Sequence, residues 1–255
     1  MSSRGGFSAI LGAWLVQSCL TPYAPEQTDP SSERSNTPIT PGESLPGEPC
    51  NTAGMVRVEG FEAAPAFCID RYEASLDGGA LGNAHQSSGD DAAPARDCST
   101  QARARVALGV PPSTNISWYQ AKAACTNAGK RLCTLAEWER ACRGPDANLY
   151  PYGDTVDHEA CNGFFQPFKQ EPANTGAFRD CGSAYGAFDM SGNVEEWTAT
   201  AVEATPGSGV PDARALRGGS FRSNSKALAC VGPEFHAAPG STAADRGFRC
   251  CRNLP

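Results

Sequence analysis

The stretch Asp189-Met-Ser-Gly-Asn-Val-Glu-Glu-Trp197 is the most informative part of this 255-residue sequence. Two further blocks follow it, Leu216-Arg-Gly-Gly-Ser-Phe221 and Gly247-Phe-Arg-Cys250. Three blocks precede it: Ile69-Asp-Arg-Tyr-Glu73, Gly129-Lys-Arg-Leu-Cys-Thr-Leu-Ala-Glu-Trp-Glu-Arg-Ala-Cys-Arg-Gly144 and Tyr150-Pro-Tyr-Gly153. Together the six blocks extend from Ile69 to Cys250, which is too much of the chain for a chance motif match.

In order and spacing, these blocks resemble the signature of the formylglycine-generating enzyme family, also called the sulfatase-modifying factor family. The resemblance implies an α+β, C-type-lectin-like fold that is loop-rich, with two main helices, short antiparallel strands and several disulfides. It also implies a possible activity, because oxidases of the family convert a peptidyl cysteine to formylglycine with copper(I) and oxygen. Their copper is held by two cysteines, because soft thiolates suit the soft copper(I) ion.

Those two cysteines stand three and eight residues after the Gly-Gly-Ser motif, at positions that Ser223 and Leu228 occupy here. A hydroxyl is a hard and weak ligand for copper(I), so Ser223 cannot replace a thiolate. Copper is therefore not expected as a cofactor. The leading hypothesis is a non-oxidase binding or scaffold module. The alternatives are an enzyme of this family with an altered active site and a purely structural envelope protein.

Calcium is a possible cofactor of the opening stretch. The resemblance implies that the side chains of Asp189 and Glu196 bind it together with the carbonyls of Gly192 and Val194. Calcium takes six to eight oxygen ligands, and two carboxylates with turn carbonyls supply several of them. In the alternative interpretation, Asp189 caps the turn and Glu196 is solvated or paired.

A second candidate site lies around the Gly-Gly-Ser motif. Because Phe221, Arg222 and Ser223 follow this motif directly, these three residues and Trp197 could line a pocket. This is a hypothesis of position only, and it assigns no catalytic role. The sequence therefore assigns no catalytic residue.

Twelve cysteines are dispersed along the chain without the clustered pairs that zinc sites need. This pattern is typical of disulfides made in an oxidising compartment. The resemblance implies two bridges, Cys125–Cys250 and Cys142–Cys230. Proximity in sequence suggests a third, Cys161–Cys181. The partners of five other cysteines stay open: Cys50, Cys68, Cys98, Cys133 and Cys251.

Residues 1–19 have the pattern of a signal peptide, with an apolar stretch shorter than the ~20 residues of a membrane-spanning helix. The stretch Val16-Gln-Ser-Cys19 resembles a bacterial lipobox, which would make Cys19 the lipidation site of an exported cell-envelope protein. An ordinary signal peptide with an incidental cysteine is the alternative. Residues 20–50 are rich in Pro, Ser, Thr and Glu, which predicts a disordered linker before a domain over residues 51–255.

Two capping boxes predict helices. Ser117 with Gln120 begins a helix from Trp118 to about Asn127, and Thr134 with Glu137 begins one that Gly144 ends. Strands are expected over residues 67–73, 194–198, 215–221 and 247–252. Residues 77–115 are expected to form an irregular surface loop.

The net charge is −7, and the sequence contains no run of five Lys or Arg residues. Nothing in it therefore predicts a nucleic-acid interface. The expected partner is an unknown ligand or an envelope protein, with membrane contact only through a lipid anchor.

Overall fold

A computed structural model describes residues 50, 54–61, 64–77, 102–165, 170–202, 212–233 and 235–254. The described residues, from Cys50 to Leu254, belong to one compact unit. The predictions for the signal peptide, for lipidation of Cys19 and for the linker lie outside the described residues, and so does Cys98. Within the described ranges, no helix is both long and apolar enough to cross a membrane.

The described chain contains three helices and ten strands, most of them short. The helices are α1 (Trp118–Asn127), α2 (Leu135–Arg143) and α3 (Ser225–Leu228). The strands are β1 (Met55–Val58), β2 (Phe67–Asp70), β3 (Ser75–Asp77), β4 (Arg103–Arg105), β5 (Arg131–Leu132), β6 (Glu195–Ala201), β7 (Arg214–Arg217), β8 (Phe235–Ala237), β9 (Arg246–Phe248) and β10 (Cys250–Asn253).

Both long helices begin as the capping boxes predict. The Ser117 hydroxyl accepts from the backbone N–H of Gln120 at 3.3 Å, and the Gln120 side chain accepts from the Ser117 backbone N–H at 2.9 Å. At α2, Thr134 and Glu137 make the same reciprocal pair. Each box satisfies N–H groups that the first helical turn cannot satisfy internally, which fixes where the helix starts.

Two four-stranded sheets organise the domain. The first has the order β1-β2-β10-β5 and is antiparallel throughout, with Cys251 opposite Ile69. The second has the order β8-β7-β6-β9, in which β6 and β9 run parallel and the other pairs run antiparallel. A separate two-stranded sheet joins β3 and β4. Helices with short, mainly antiparallel strands confirm the α+β prediction.

Five disulfides link the ten described cysteines, and none of these ten is free. Three bridges are the pairs expected from the sequence: Cys125–Cys250, Cys142–Cys230 and Cys161–Cys181. The other two are Cys50–Cys68 and Cys133–Cys251, whose partners the sequence left open. The adjacent cysteines of β10 therefore link it to two different elements: Cys250 is bonded to Cys125 in α1, and Cys251 is bonded to Cys133, which directly follows β5.

The structure corrects several boundaries. The early strand ends at Asp70, because Arg71 and Tyr72 turn away before Glu73 enters the core. The strand before the Gly-Gly-Ser motif ends at Arg217, since Gly218 and Gly219 take positive φ values of 88° and 62°. The prediction of a surface loop over residues 77–115 was wrong in part, because residues 103–105 form β4 and Ala102 is fully buried.

Candidate functional site

The loop after β7 is the first part of the candidate site. Its turn is held by Ser223, whose hydroxyl accepts from the Ser220 backbone N–H at 2.9 Å and whose own N–H donates to the Ser220 carbonyl at 2.8 Å. A side chain at Gly219 would come within 2.9 Å of the Ser223 hydroxyl and of the Ala227 carbonyl. The close turn therefore requires glycine at position 219 for space as well as for its backbone angle.

A small polar cluster lies on this loop. The buried Ser220 hydroxyl donates to Asp245 Oδ2 at 3.2 Å and accepts from the Arg222 backbone N–H at 3.3 Å. The Arg222 guanidinium lies 3.6 Å from the same carboxylate and remains half exposed. Asp245 was not among the residues expected from the sequence, although it precedes the Gly247 block by only two positions. The cluster thus links the Leu216–Phe221 block to the residues just before the Gly247 block.

The two positions that copper thiolates would occupy hold no sulfur. Ser223 supports the turn, and Leu228 is buried against Tyr150 and Ala229. The nearest cysteine along the chain, Cys230, is bonded to Cys142. Because every described cysteine is in a disulfide, no described thiol can reach this loop as a copper ligand.

The four residues of the pocket hypothesis separate into two groups. Trp197 and Phe221 are core side chains with 1% and 2% exposure, and the indole N–H of Trp197 donates to the Ile116 carbonyl at 2.9 Å. Arg222 and Ser223 lie at the surface. An accessible site at this loop is therefore formed by Arg222, Ser223 and Asp245, with Phe221 beneath the Arg222 guanidinium at 4.8 Å.

Behind this loop, the segment from Asp189 to Glu196 enters a buried group of charges. Both Glu196 and Arg249 are inaccessible to solvent, and the Arg249 guanidinium donates to both Glu196 oxygens at 2.7–2.9 Å. The indole N–H of Trp138 donates to Glu196 Oε2 at 2.7 Å. Pairing with a guanidinium offsets the large desolvation cost of burying this carboxylate. Three signature blocks therefore meet at Glu196.

Glu73 is a second carboxylate of this group and was missed from the sequence. One of its oxygens accepts from the Val194 backbone N–H at 3.0 Å, and the other accepts from the Asn193 amide. Burial, followed by the nearby charges of Asp189 and Glu196, raises the pKa of Glu73 well above its ordinary value. Its position in the Ile69–Glu73 signature block was a usable signal, and a fully buried glutamate is rarely found without a partner.

Asp189 is the third carboxylate, and its backbone φ is 60°. Its Oδ2 atom accepts from the Gly176 backbone N–H at 2.7 Å. Burial raises the pKa of Asp189 to about 6, although the Gly176 hydrogen bond and Arg249 act in the opposite direction. A neighbouring ion pair, Asp70 with Lys130 at 2.6 Å, is also buried. The sequence blocks thus meet in one buried network of charges.

The surroundings of Glu196 bear directly on the predicted calcium site. Calcium needs six to eight oxygens that carry no competing cation. Both Glu196 oxygens already face Arg249 and Trp138, so Glu196 does not fit as a calcium ligand in this arrangement. Asp189 and the carbonyls of Gly192 and Val194 would be too few alone. Nowhere in the described ranges do three or more His, Cys, Asp or Glu side chains form a metal-binding cluster. Calcium stays a prediction that only a binding measurement decides.

Comparison with known proteins gives related sequences. This chain is 33% identical over 159 residues to serine/threonine-protein kinase pkn1 of Chlamydia caviae, covering 56% of this chain and 24% of the relative. It is 32% identical over 152 residues to inactive C-alpha-formylglycine-generating enzyme 2 of Bos taurus, covering 54% and 49%. It is 35% identical over 165 residues to formylglycine-generating enzyme of Mus musculus, covering 54% and 43%. The chain spans a quarter to about half of these relatives.

Solved structures and a family model agree on the domain. Treponema denticola variable protein 1 superposes with a TM-score of 0.56 at 18% identity, covering 78% of this chain and 95% of that chain. PvdO from Pseudomonas aeruginosa gives a TM-score of 0.52 at 19% identity, covering 75% and 82%. The fold is therefore C-type-lectin-like, as expected. The family model described as "Sulfatase-modifying factor enzyme 1-like domain" matches residues 29–254, and the chain belongs to this family.

Proposed function

We propose that this protein is a non-oxidase member of its family that acts as a binding or scaffold module at the bacterial cell envelope. The observation that carries the proposal is the loop after β7. Ser223 and Leu228 stand where the family oxidases place their copper thiolates, and all ten described cysteines are in disulfides. Without a soft sulfur pair, the loop has no favourable ligands for copper(I).

The proposed location is outside the cytoplasm. Five disulfides in the described part are typical of proteins that fold in an oxidising compartment. The apolar start of the sequence and the lipobox-like Val16–Cys19 stretch support export with a lipid anchor. Globomycin-sensitive processing in a bacterial host would support the anchor, whereas insensitive processing would favour a freely secreted protein.

The proposal is tested by titrating the purified, disulfide-intact protein with copper(I) in competition with a chromophoric chelator. We expect no stoichiometric complex. The matched comparison is the double variant Ser223→Cys/Leu228→Cys, which restores both soft ligands and is expected to compete for copper. Tight one-to-one binding by the unchanged protein would overturn the proposal.

A second candidate is an enzyme of the same family with an altered active site. It is favoured by the cluster of Ser220, Arg222 and Asp245, which places a buried hydroxyl, a half-exposed guanidinium and a carboxylate side by side. The copper experiment is extended to separate the two functions. A cysteine-containing peptide incubated with the protein, copper and oxygen stays unmodified under the first proposal. Mass-spectrometric detection of formylglycine would favour the second.

A further inference from the structure

One segment of the domain exposes several large apolar side chains. Eight large apolar side chains are exposed among the described residues, and half of them lie between residues 149 and 165. These four are Leu149, Val156, Phe164 and Phe165, with exposures of 45%, 38%, 52% and 46%. Single exposed apolar residues are common, but a contiguous exposed group marks an interaction site.

Phe164 and Phe165 form an ordered aromatic group with His158. The rings of His158 and Phe165 lie 4.0 Å apart, and those of the two phenylalanines meet edge to face at 5.7 Å. The backbone N–H of Phe164 donates to the Ser223 carbonyl at 3.1 Å, which fixes the group beside the loop after β7. Both rings lie about half exposed at the surface. Full burial of a Phe side chain would stabilise the folded state by about 1.5–3 kcal/mol, and these two rings forgo part of that gain.

The same stretch carries negative charge. Residues 144–165 contain four acids and no Lys or Arg: the acids are Asp146, Asp154, Asp157 and Glu159. Asp154 accepts from the Leu149 backbone N–H and Asp157 accepts from the Glu159 backbone N–H, each at 2.8 Å. Neutral backbone donors leave the full negative charge in place. Asp157 and Glu159 flank His158, whose ring contacts Phe165, and no described ion pair neutralises either carboxylate.

We propose that Asp157, His158, Glu159, Phe164 and Phe165, here called the 157–165 surface, bind a polypeptide segment of a partner protein. The segment carries a bulky apolar side chain next to Lys or Arg. The apolar side chain packs on the phenylalanine rings, and the basic side chain approaches the two carboxylates. Cationic side chains also interact favourably with aromatic faces. This inference rests on the proposed binding function and names the chemistry of its ligand.

Charge argues against other occupants. An anionic lipid surface would be repelled by the acids of this stretch. A second copy of the chain in a two-fold interface would place the same carboxylates opposite one another, which is unfavourable. A basic and apolar polypeptide satisfies both features of the surface at once, because it covers the rings and neutralises the acids.

The test uses the disulfide-intact protein as bait for a display library of random short peptides, with selected peptides resynthesised for affinity measurement. We expect enrichment of peptides that combine Lys or Arg with Phe, Trp or Leu. The double variant Phe164→Ser/Phe165→Ser should weaken their binding about tenfold or more, as loss of a central aromatic contact does. The double variant Asp157→Asn/Glu159→Gln should weaken it less and reduce its dependence on salt.

Matched controls come from elsewhere on the surface. Leu108, with 57% exposure, and Asp77 at the exposed end of β3 lie outside the 157–165 surface. Leu108→Ser and Asp77→Asn should leave binding unchanged. The inference is overturned by selection of acidic or purely polar peptides, by no enrichment, by binding that ignores the Phe164/Phe165 substitutions, or by Phe-dependent self-association or vesicle binding. The copper titration is read separately, so failure here leaves the non-oxidase proposal standing.

Discussion

The buried charge network around Glu196 and the loop after β7 both contain signature residues, yet they differ in exposure: Glu196 and Arg249 are fully buried, whereas the Arg222 side chain is half exposed. In the network, Glu196, Arg249 and Trp138 still make a complete set of hydrogen bonds. In the loop, Gly218 and Gly219 still form the turn, but Ser223 and Leu228 stand at the positions of the copper thiolates. Signature residues that stabilise the interior are thus distinct from loop residues that could bind a ligand.

The physical reason for this difference is the cost of substitution. Removing one partner of a buried ion pair leaves an unpaired charge in the interior, which costs several kcal/mol. Substitutions at surface positions without a special backbone conformation change the free energy of unfolding by about 0.5 kcal/mol or less. The interior positions are therefore fixed by folding, whereas a half-exposed side chain on the loop, such as that of Arg222, can change at little cost to stability.

The largest expected effect concerns the two bridges of β10. Cys125–Cys250 and Cys133–Cys251 lie in parallel, so with one bridge intact the other closes a loop of only about nine residues. Loss of either bridge should cost about 2–3 kcal/mol. Loss of both also opens the larger loop that the pair closes, which is roughly 30 residues long because Cys142–Cys230 remains intact; it should cost about 6 kcal/mol, somewhat more than the sum. Urea unfolding of the two paired Cys→Ala variants and of their combination measures this.

The control for this prediction is the Cys161–Cys181 bridge, which closes a separate loop of 20 residues. Its removal should cost about 3 kcal/mol and add to either β10 variant without coupling. Strict additivity of the two β10 bridges would contradict the parallel-loop explanation. It would also weaken the contrast between a strongly cross-linked interior and a changeable loop.

Much of the fold was predictable because it is encoded locally. The capping boxes at Ser117 and Thr134 fixed the starts of both long helices, since side-chain and backbone groups three residues apart satisfy each other. The strand pairing was not predictable from local pattern. β6 pairs with β9 in parallel across about fifty residues, and such long-range pairing depends on packing that no short stretch encodes.

The candidate site was predictable only where the blocks contain its residues. Asp189 and Glu196 were expected as metal ligands, but their actual partners, Gly176 and Arg249, lie outside the segment. Asp245 and Glu73 were missed because each acts through a residue distant in sequence. A carboxylate in a sequence does not reveal whether a metal or a guanidinium will neutralise it, because both satisfy the same charge.

A smaller effect is expected from breaking the network itself. Arg249→Met removes the cation from a fully buried pair and should cost about 3–5 kcal/mol. Adding Glu196→Leu should recover part of this loss, because the stranded carboxylate is removed as well. Arg131→Met, which breaks the partly exposed pair with Glu137, should cost no more than about 1 kcal/mol. Chemical unfolding compares the variants; equal losses for Arg249→Met and Arg131→Met would erase the distinction between interior and surface.

The smallest effect is expected from calcium removal, and it decides what neutralises Glu196. With Arg249 on both Glu196 oxygens, a chelator such as EGTA should leave the melting temperature unchanged to within about 1 °C. If calcium did bind, a free calcium concentration of a hundred times its Kd would stabilise the folded domain by about 2.7 kcal/mol. For a domain of this size, that raises the melting temperature by roughly 5–10 °C. Asp189→Asn keeps an acceptor for the Gly176 N–H but removes a charge, so its effect should be identical with and without chelator. A calcium-dependent melting curve that this substitution abolishes would identify Asp189 as a calcium ligand, so that the interior signature would bind a metal as well as support the fold.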